Sequence, residues 1–445
     1  MQKEILTKDC IEKLAGRSGN QQGSKIMLAE GTIITPLAED YIREKNLKLE
    51  FVKVGQAENS GKTAGFTENS GRVIGLTENS ERAGRLAKNS EMAGRFTGVS
   101  GTACELTSGT KKDVKVFKKT GHLPDELPYD TILSFYYLML KIRFFEEFAK
   151  AYKQKDIIKG DFVHVYLGEE AIAAGVCSAL KKEDFITSTH RGHGHMIAKG
   201  ADISKMFAEL LGKSDGYSKG KGGSMHIADI GLGILGANGI VGAGLPIACG
   251  SALASKLNGD DGVTVAFFGD GASNQGTFGE SLNFAKILSL PVIFLCENNG
   301  YAISTSSDYA CSTPFIYKRG LGYDIPSVLI DGDDIFEVYF TCRSAIEEIR
   351  KSSHPVLIEA VTHRREGHWI GDPQNYRSVK DLADLPKYDP IKIFFNKIEK
   401  RPDFRASDIE RITLEVSEEI KRAVAFAENS PYLSPEESAK DYLKE

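Results

Sequence analysis

Two short polar motifs, each placed directly after an apolar run, constrain this chain more than any other feature. Asp270 follows the run at residues 263–268, and Asn299 lies just past the run at residues 292–296. Apolar runs of this length are typical of buried parallel strands. Between them, residues 277–288 carry apolar side chains at spacings of three and four, which predicts a connecting helix. The pattern therefore predicts one βαβ unit.

This unit would bring Asp270 and Asn299 to the carboxyl edge of a sheet, where open α/β folds bind their ligands. A carboxylate and an amide oxygen suit Mg²⁺, which takes its remaining ligands from water and phosphates. Gly269, Gly271 and Gly276 allow the backbone to approach a diphosphate, and a helix amino terminus favours its charge. Either motif alone would be an ordinary turn. Together they predict a Mg²⁺-diphosphate site.

A family resemblance becomes visible across the whole unit. Residues 269–305 read GDGASNQGTFGESLNFAKILSLPVIFLCENNGYAIST, which resembles the thiamine-diphosphate motif. The stretch is most similar to the alpha subunit of the decarboxylating component of 2-oxo-acid and acetoin dehydrogenase complexes, and the likeness runs from about Phe117 to the carboxyl end. The motifs STHRGHGH, GKGGSMHIAD, LGANGIVGAG and GHWIGDPQNYR are most similar to the acetoin-type members.

The resemblance implies thiamine diphosphate and Mg²⁺ as cofactors, with Asp270, Asn299 and Tyr301 at the metal. The further residues that it assigns to cofactor binding are His190, Arg191, Gly239, Val241, Gly271, Ala272, Gln275, Arg364 and His368. Guanidinium geometry supports the placement of Arg191 at the diphosphate oxygens. The turn at residues 238–244 would line the aminopyrimidine; close packing of a helix on a strand also explains its glycines.

Two histidines, His164 and His368, are the predicted catalytic residues of the chain. The resemblance implies that His164 faces the reacting substrate and that His368 is an acid–base or intermediate-binding group. By residue pattern alone, His164 lies in an alternating strand and would more often be a satisfied interior histidine. Residues 362–373 form a Gly-rich loop that suits an active-site lid. Trp369 stands where regulated mitochondrial relatives carry a phosphorylated serine, so phosphorylation there is not expected.

A zinc site is the alternative for the closely spaced His190, His193 and His195, although no HExxH pattern accompanies them.

The chain has no candidate for the glutamate that thiamine chemistry needs beside the aminopyrimidine. In the family this residue comes from a second domain, so the resemblance implies a beta subunit partner, an α₂β₂ assembly and a lipoyl-bearing acyltransferase component. Acetoin is the first expected substrate, then pyruvate, then branched-chain 2-oxo acids. Two rivals remain at this point. One is a self-sufficient thiamine enzyme, and the other is a scaffold or docking protein that retains the fold.

Three regions are predicted along the chain. Residues 1–54 form a small α+β appendage that resembles short segments preceding some enzymes of bacterial microcompartments; a purely structural role is favoured over targeting or docking. Residues 55–115 contain a decapeptide repeat, ENSGKTAGFT and its variants, which predicts a flexible linker rather than a small solenoid or a docking sequence. Residues 116–445 should form the catalytic body, a doubly wound parallel α/β sheet of the thiamine-diphosphate-binding fold.

Composition excludes several classes of function. Fifty-six basic and sixty-one acidic residues give a formal net charge of −5, which argues against nucleic acid or an anionic membrane as the main partner. The amino-terminal residues lack a secretory apolar segment, so a cytoplasmic location is expected, with microcompartment association as an extension. The seven cysteines are an odd number without a CxxC motif, and they are expected to be buried thiols.

Overall fold

A computed structural model describes residues 126–441 except Asp161 and Pro314, and the backbone of a few short strands before residue 121. Those strands form three pairs: Ile5–Leu6 with Ile33–Ile34, Lys25–Ala29 with Lys48–Val52, and Ala103–Glu105 with Lys118–Thr120. Most of the predicted appendage, including its helix, and the repeats lie outside the described residues. The boundaries at residues 54 and 115 therefore stay predictions.

A five-stranded parallel sheet forms the centre of the described body. Its strands are β1 (Phe185–Thr187), β2 (Thr264–Gly269), β3 (Val292–Asn298), β4 (Ser327–Asp331) and β5 (Val356–Val361). They lie in the spatial order β4-β5-β3-β2-β1. The two strands that precede Asp270 and Asn299 are therefore direct neighbours, which confirms the predicted βαβ unit.

Both faces of this sheet are buried, and the strand sequences show why. Successive side chains of a strand point to opposite faces. In β2, Val265 and Phe267 belong to one apolar core cluster, whereas Ala266 and Phe268 belong to a second one. A strand with two buried faces needs a continuous apolar run, and burying each large side chain contributes about 1.5–3 kcal/mol. The doubly wound parallel fold predicted from these runs is confirmed.

Helices cover the two faces. Those of the described body are α1 (Tyr129–Gln154), α2 (Glu170–Ala179), α3 (His193–Ala198), α4 (Ile203–Leu210), α5 (Gly244–Asn258), α6 (Gly276–Leu288), α7 (Ser307–Ala310), α8 (Tyr317–Leu321), α9 (Ile335–Ser352), α10 (Val379–Asp384), α11 (Pro390–Ile398), α12 (Ala406–Asn429) and α13 (Pro435–Lys440). No helix within residues 126–441 has the length and apolar character needed to cross a bilayer.

Helix α6 shows how local sequence shapes the predicted unit. Its buried residues Phe278, Leu282 and Ala285 recur at spacings of three and four and pack into the second core cluster. Ser289 ends the helix in the left-handed conformation at φ 48°, and Pro291 prevents its continuation. Helix α6 thus returns the chain to β3, beside β2.

The carboxyl-terminal helices α11 and α12 pack against α1. A buried ion cluster ties the first of them to the body. Arg143 of α1 donates to Glu170 at 2.6 Å and to both carboxylate oxygens of Asp389 at 3.2 Å. Asp389 also accepts the backbone N–H of Ile391, which caps α11. One guanidinium therefore joins three helices.

The predicted strand around His164 is wrong. Residues 162–166 belong to no strand and to no sheet. Other hydrogen bonds take the place of strand pairing: Val163 O accepts the Ile370 N–H at 3.0 Å, and the Tyr166 N–H donates to Glu146 of α1 at 2.9 Å.

The cysteine prediction is confirmed for four residues and wrong for a fifth. Cys177, Cys249, Cys296 and Cys342 are buried free thiols, whereas Cys311 is only half-buried. The side chains of Cys10 and Cys104 lie outside the described residues.

Candidate functional site

Asp270 and Asn299 both lie at the carboxyl edge of the sheet. Gly269, the last residue of β2, lies opposite Glu297 of β3 in the parallel register. Asp270 follows the first strand directly, and Asn299 follows the second. Because neighbouring strands are about 4.8 Å apart, the register places the two side chains at adjoining strand ends. The juxtaposition predicted from the sequence is present.

Asp270 presents a buried carboxylate. Its side chain is 3% exposed, and burial raises its pKa to about 6, against the stabilising backbone N–H groups of Asp270 and Gly271. It opens a 3₁₀ turn, Asp270–Asn274, which contains the predicted cofactor residues Gly271 and Ala272. A Cβ at Gly271 would lie 2.5 Å from that of Ala302, so only glycine fits there. A buried carboxylate of this kind is stabilised when a cation binds it.

Asn299 is held at both ends of its amide. Its Oδ1 accepts the backbone N–H of Tyr301 at 3.2 Å, and its Nδ2 donates to Glu169 Oε1 at 2.8 Å. Tyr301 begins a small hairpin, and its ring lies 5.4 Å from that of Tyr376. The amide oxygen keeps acceptor capacity for a further ligand.

Two buried arginines make this edge suitable for an anion. Arg191 donates to Val165 O at 2.6 Å and to His368 O at 3.0 Å. Arg364, 1% exposed, donates to Tyr376 Oη at 3.0 Å. Burial, and then the nearby charge of Arg364, lowers the pKa of Arg191 to about 10. Two buried guanidinium groups that repel each other favour the binding of a polyanionic ligand between them.

Three predicted histidines form a cluster beside the arginines. The ring of His164 lies 4.7 Å from that of His190 and 4.9 Å from that of His368, and the last two are 5.2 Å apart. Burial lowers the pKa of His164 to about 2, of His190 to about 3 and of His368 to about 4, and the neighbouring cations add to this. The three imidazoles are therefore neutral at neutral pH.

Two nitrogen atoms of this cluster have no protein partner. His164 Nδ1 and His368 Nδ1 are buried and accept or donate no hydrogen bond within the described part of the chain. Buried polar atoms normally have partners. The cluster thus leaves polar atoms available to a bound molecule.

The zinc alternative for His190, His193 and His195 is not supported, because the fold separates these side chains. His193 bonds to Glu146 and to the Ser224 hydroxyl, each at 2.9 Å. His195 bonds to Glu297 at 2.9 Å and to Ser188 at 2.8 Å. Both rings are buried and fully used by protein partners, and only His190 reaches the sheet edge.

The loop at residues 362–373 lies at the site, as predicted, and its backbone is held by its own side chains. Asp372 accepts the His368 N–H and the Tyr376 hydroxyl, each at 2.6 Å. Trp369 packs edge-on against Phe162 at 5.3 Å, at the outer side of the histidine cluster. Its action as a lid stays a prediction.

The turn at residues 238–244 borders the same edge. Thr277 Oγ1 donates to Gly242 O at 3.3 Å, and a Cβ at Gly242 would also lie 3.2 Å from Gln275. This contact holds Gly242, which follows Val241, against Gln275 and the start of α6, whereas the nearest side chains to Gly239 are those of His226 and Met225. Val241 is 50% exposed and the preceding Ile240 is 73% exposed. The turn therefore presents apolar side chains away from the body.

Comparison with known proteins shows the family. A profile of the family described as "Dehydrogenase E1 component" matches residues 136–436. The chain belongs to the dehydrogenase E1 component family. The resemblance predicted from its motifs is confirmed, and so is the thiamine-diphosphate-binding fold.

Relatives in the family cover most of the chain. The alpha subunit of the Bacillus subtilis acetoin:2,6-dichlorophenolindophenol oxidoreductase is 48% identical over 72% of this chain and 94% of its own length. The Cupriavidus necator subunit of the same description is 45% identical over 71% and 95%. The alpha subunit of the Zymomonas mobilis pyruvate dehydrogenase E1 component is 38% identical over 69% and 87%.

The E1 residues of this chain fit thiamine diphosphate, the cofactor of the family. Arg191 and Arg364 present guanidiniums that would suit a diphosphate, and Asp270 and Asn299 present oxygen atoms of the kind that Mg²⁺ prefers. The unpartnered nitrogen of His164 belongs to the histidine cluster beside Arg191. The arginines and oxygen ligands therefore suit the diphosphate of the cofactor, and the histidines suit the part of the cofactor that reacts with substrate.

Sequence reasoning missed Glu169. This residue is 1% exposed and precedes α2, and its Oε2 lies 3.6 Å from Arg191 Nε. Burial raises its pKa to about 7, partly opposed by Arg191. The available signal was a pair of acidic residues, Glu169 and Glu170, at the start of an otherwise apolar helix.

Proposed function

We propose that this E1 chain is the alpha subunit of an acetoin-cleaving dehydrogenase component that binds thiamine diphosphate through Mg²⁺ and passes a two-carbon unit to a lipoyl group. One observation carries the proposal: the buried Asp270 carboxylate and the Asn299 amide leave adjoining strand ends beside two buried arginines. This arrangement suits a diphosphate bridged to a divalent cation.

Each residue has a distinct part in this proposal. Asp270, Asn299 and the backbone at Tyr301 would hold Mg²⁺, and Arg191 with Arg364 would hold the diphosphate oxygens. When bound, thiamine diphosphate supplies an electron sink for breaking the carbon–carbon bond. His164 and His368 are neutral, so each can accept a proton or donate a hydrogen bond near the substrate carbonyl.

Acetoin is the preferred substrate because two relatives described as acetoin oxidoreductase subunits are 48% and 45% identical, against 38% for the Zymomonas pyruvate enzyme. Pyruvate is the second candidate, and branched-chain 2-oxo acids are the third.

A beta subunit would complete the site. The described part of the chain contains one parallel α/β sheet of five strands, which is the diphosphate-binding half. The exposed side chains of Ile240 and Val241 suit burial by a partner that brings the missing glutamate to the aminopyrimidine. We extend this proposal to an α₂β₂ assembly that passes its product to a lipoyl-bearing acyltransferase.

Calorimetry on the chain co-produced with its beta subunit tests the metal and diphosphate site. Asp270→Ala or Asn299→Ala should abolish Mg²⁺-dependent binding of thiamine diphosphate, because each removes an oxygen ligand. Asp261→Ala is a matched control, since Asp261 lies before the other end of β2, where its side chain is 60% exposed. Unchanged affinity in both site variants would refute the proposal.

A further inference from the structure

Glu169 occupies a position between two groups of the proposed cofactor site. One oxygen, Oε1, accepts the Asn299 Nδ2 at 2.8 Å, and the other, Oε2, lies 3.6 Å from Arg191 Nε. Asn299 is a proposed metal ligand and Arg191 a proposed diphosphate ligand. The Glu169 carboxylate therefore contacts one proposed metal ligand and one proposed diphosphate ligand.

Helix capping does not explain the buried carboxylate. Glu169 stands at the N-cap of α2, where a side chain commonly accepts a backbone N–H of the first turn. Its side chain makes no such bond. Burying a carboxylate costs several kcal/mol unless strong partners offset it. Within the described residues its neighbours are two side chains of the proposed site: Asn299 donates to Oε1, and the Arg191 guanidinium lies 3.6 Å from Oε2, which accepts no hydrogen bond.

The contact with Asn299 has a directional consequence. An asparagine amide can bind a cation only through its oxygen. A carboxylate offers acceptors to the amide, so it selects the orientation in which Nδ2 faces Glu169. The reversed amide would place two oxygen atoms against each other and would present an NH₂ group to the cation.

The contact between Glu169 and Arg191 influences the orientation of the guanidinium. The guanidinium donates to Val165 O and His368 O through its two terminal nitrogens, and its Nε faces Glu169. The two backbone carbonyls fix the plane of the group by accepting its terminal N–H groups, while Glu169 lies 3.6 Å from Nε as an ion-pair partner without a hydrogen bond. The negative charge of Glu169 also offsets part of the repulsion between Arg191 and Arg364.

We propose that Glu169 is a positioning residue that orients the Asn299 amide toward Mg²⁺ and the Arg191 guanidinium toward the diphosphate. This inference rests on the proposed function and adds to it a residue outside the set predicted from the sequence. Outer partners of metal ligands typically change metal affinity by about 10–100-fold when they are removed.

The first test measures the Mg²⁺ concentration that half-saturates thiamine diphosphate binding to the co-produced complex, by calorimetry across a Mg²⁺ series. Glu169→Met removes the acceptor and keeps the side-chain length, so this concentration should rise at least about tenfold. Glu169→Gln keeps an acceptor for Asn299 and should stay within about threefold of the unmodified protein. Thermal melting of each complex without cofactor checks the fold.

Glu359 provides a matched control. It accepts the Nδ2 of Asn298, the residue before Asn299, at 2.7 Å. Glu359→Met should therefore leave the Mg²⁺ dependence unchanged. An unchanged dependence in Glu169→Met, or an equal rise in Glu359→Met, would overturn the role of Glu169.

A charge exchange keeps the inference testable if Glu169→Met does not fold. Asn299→Asp supplies a stronger oxygen ligand but sets two carboxylates against each other, so the half-saturating Mg²⁺ concentration should rise at least about tenfold. Combining it with Glu169→Gln should bring the value back to within about threefold. A single Asn299→Asp variant that binds as well as the unmodified protein would contradict the inference.

Asp270→Ala in the same series distinguishes a failure of the proposed function from a failure of the positioning role of Glu169. If this variant binds thiamine diphosphate normally, the proposed function fails. If it loses binding while Glu169→Met does not change, only the positioning role fails.

Discussion

At the residue scale, burial sets the charge of the three clustered histidines. His164, His190 and His368 all have a lowered pKa, first because burial disfavours the imidazolium; the next cause is His190 for His164 and Arg191 for His190 and His368. The unfolded chain takes up these protons near pH 6.5. The cluster therefore makes the fold less stable as the pH falls below that value.

We expect the three imidazoles of the cofactor-free protein to stay neutral from pH 8 down to about pH 5, since each lowered pKa lies well below the usual value. NMR of selectively labelled histidine, assigned by single His→Gln variants, would measure this. A titration near pH 6.5 at any of the three positions would show that the cluster is not buried as described.

Sequence reasoning found the residues whose chemistry is visible in a local motif. Asp270 and Asn299 follow apolar runs, so their location at strand ends could be predicted. Glu169 could not be assigned in this way, because its partner Asn299 is 130 residues away. A long-range hydrogen bond leaves no periodic signal in the chain.

At the scale of elements, Arg143 links α1 to the carboxylates of α2 and α11. Asp389 is buried, which raises its pKa, but Arg143 and then Arg365 hold that pKa well below its usual range. Its contribution to stability is therefore complete above the unfolded value of about 4 and is lost as the pH falls through the lowered folded pKa.

Arg143→Met should lower the free energy of unfolding by about 3–5 kcal/mol, because it leaves Glu170 buried without its cation and Asp389 with Arg365 alone. Denaturant unfolding at pH 7 measures this. Arg411→Met, on the exposed side of α12, is the control and should change stability by less than about 0.5 kcal/mol. A similar small change in Arg143→Met would contradict the importance of the cluster.

The element boundaries show where hydrophobic patterns stop being informative. β3 extends through Glu297 and Asn298, beyond the apolar run, because these polar residues are buried with partners of their own. Glu297 bonds to Tyr166 and His195, and Asn298 bonds to Glu359. The opposite error occurs around His164, where an alternating pattern without sheet pairing resembles a strand. In both places tertiary contacts override the local pattern.

At the scale of the whole molecule, the apolar cores of the described body consist of residues from Leu127 onward, and the family match begins at residue 136. We expect deletion of residues 1–110 to leave thiamine diphosphate affinity and assembly with the beta subunit unchanged. Calorimetry and mass measurement of the co-produced complex would check this. Loss of assembly would assign the deleted region a structural role, and a changed cellular location would support targeting.

The strand order has a consequence for synthesis of the protein. β5 inserts between β3 and β4, although it is the last strand to leave the ribosome, and Arg364 and His368 follow it. A nascent chain that has already produced Asp270 and Asn299 still lacks β5, the neighbour of β3, and Arg364, one of the two arginines proposed to bind the diphosphate. Non-local pairing of this kind is slow to form and exposes unpaired edges meanwhile. The nascent chain should therefore bind thiamine diphosphate only near the end of translation.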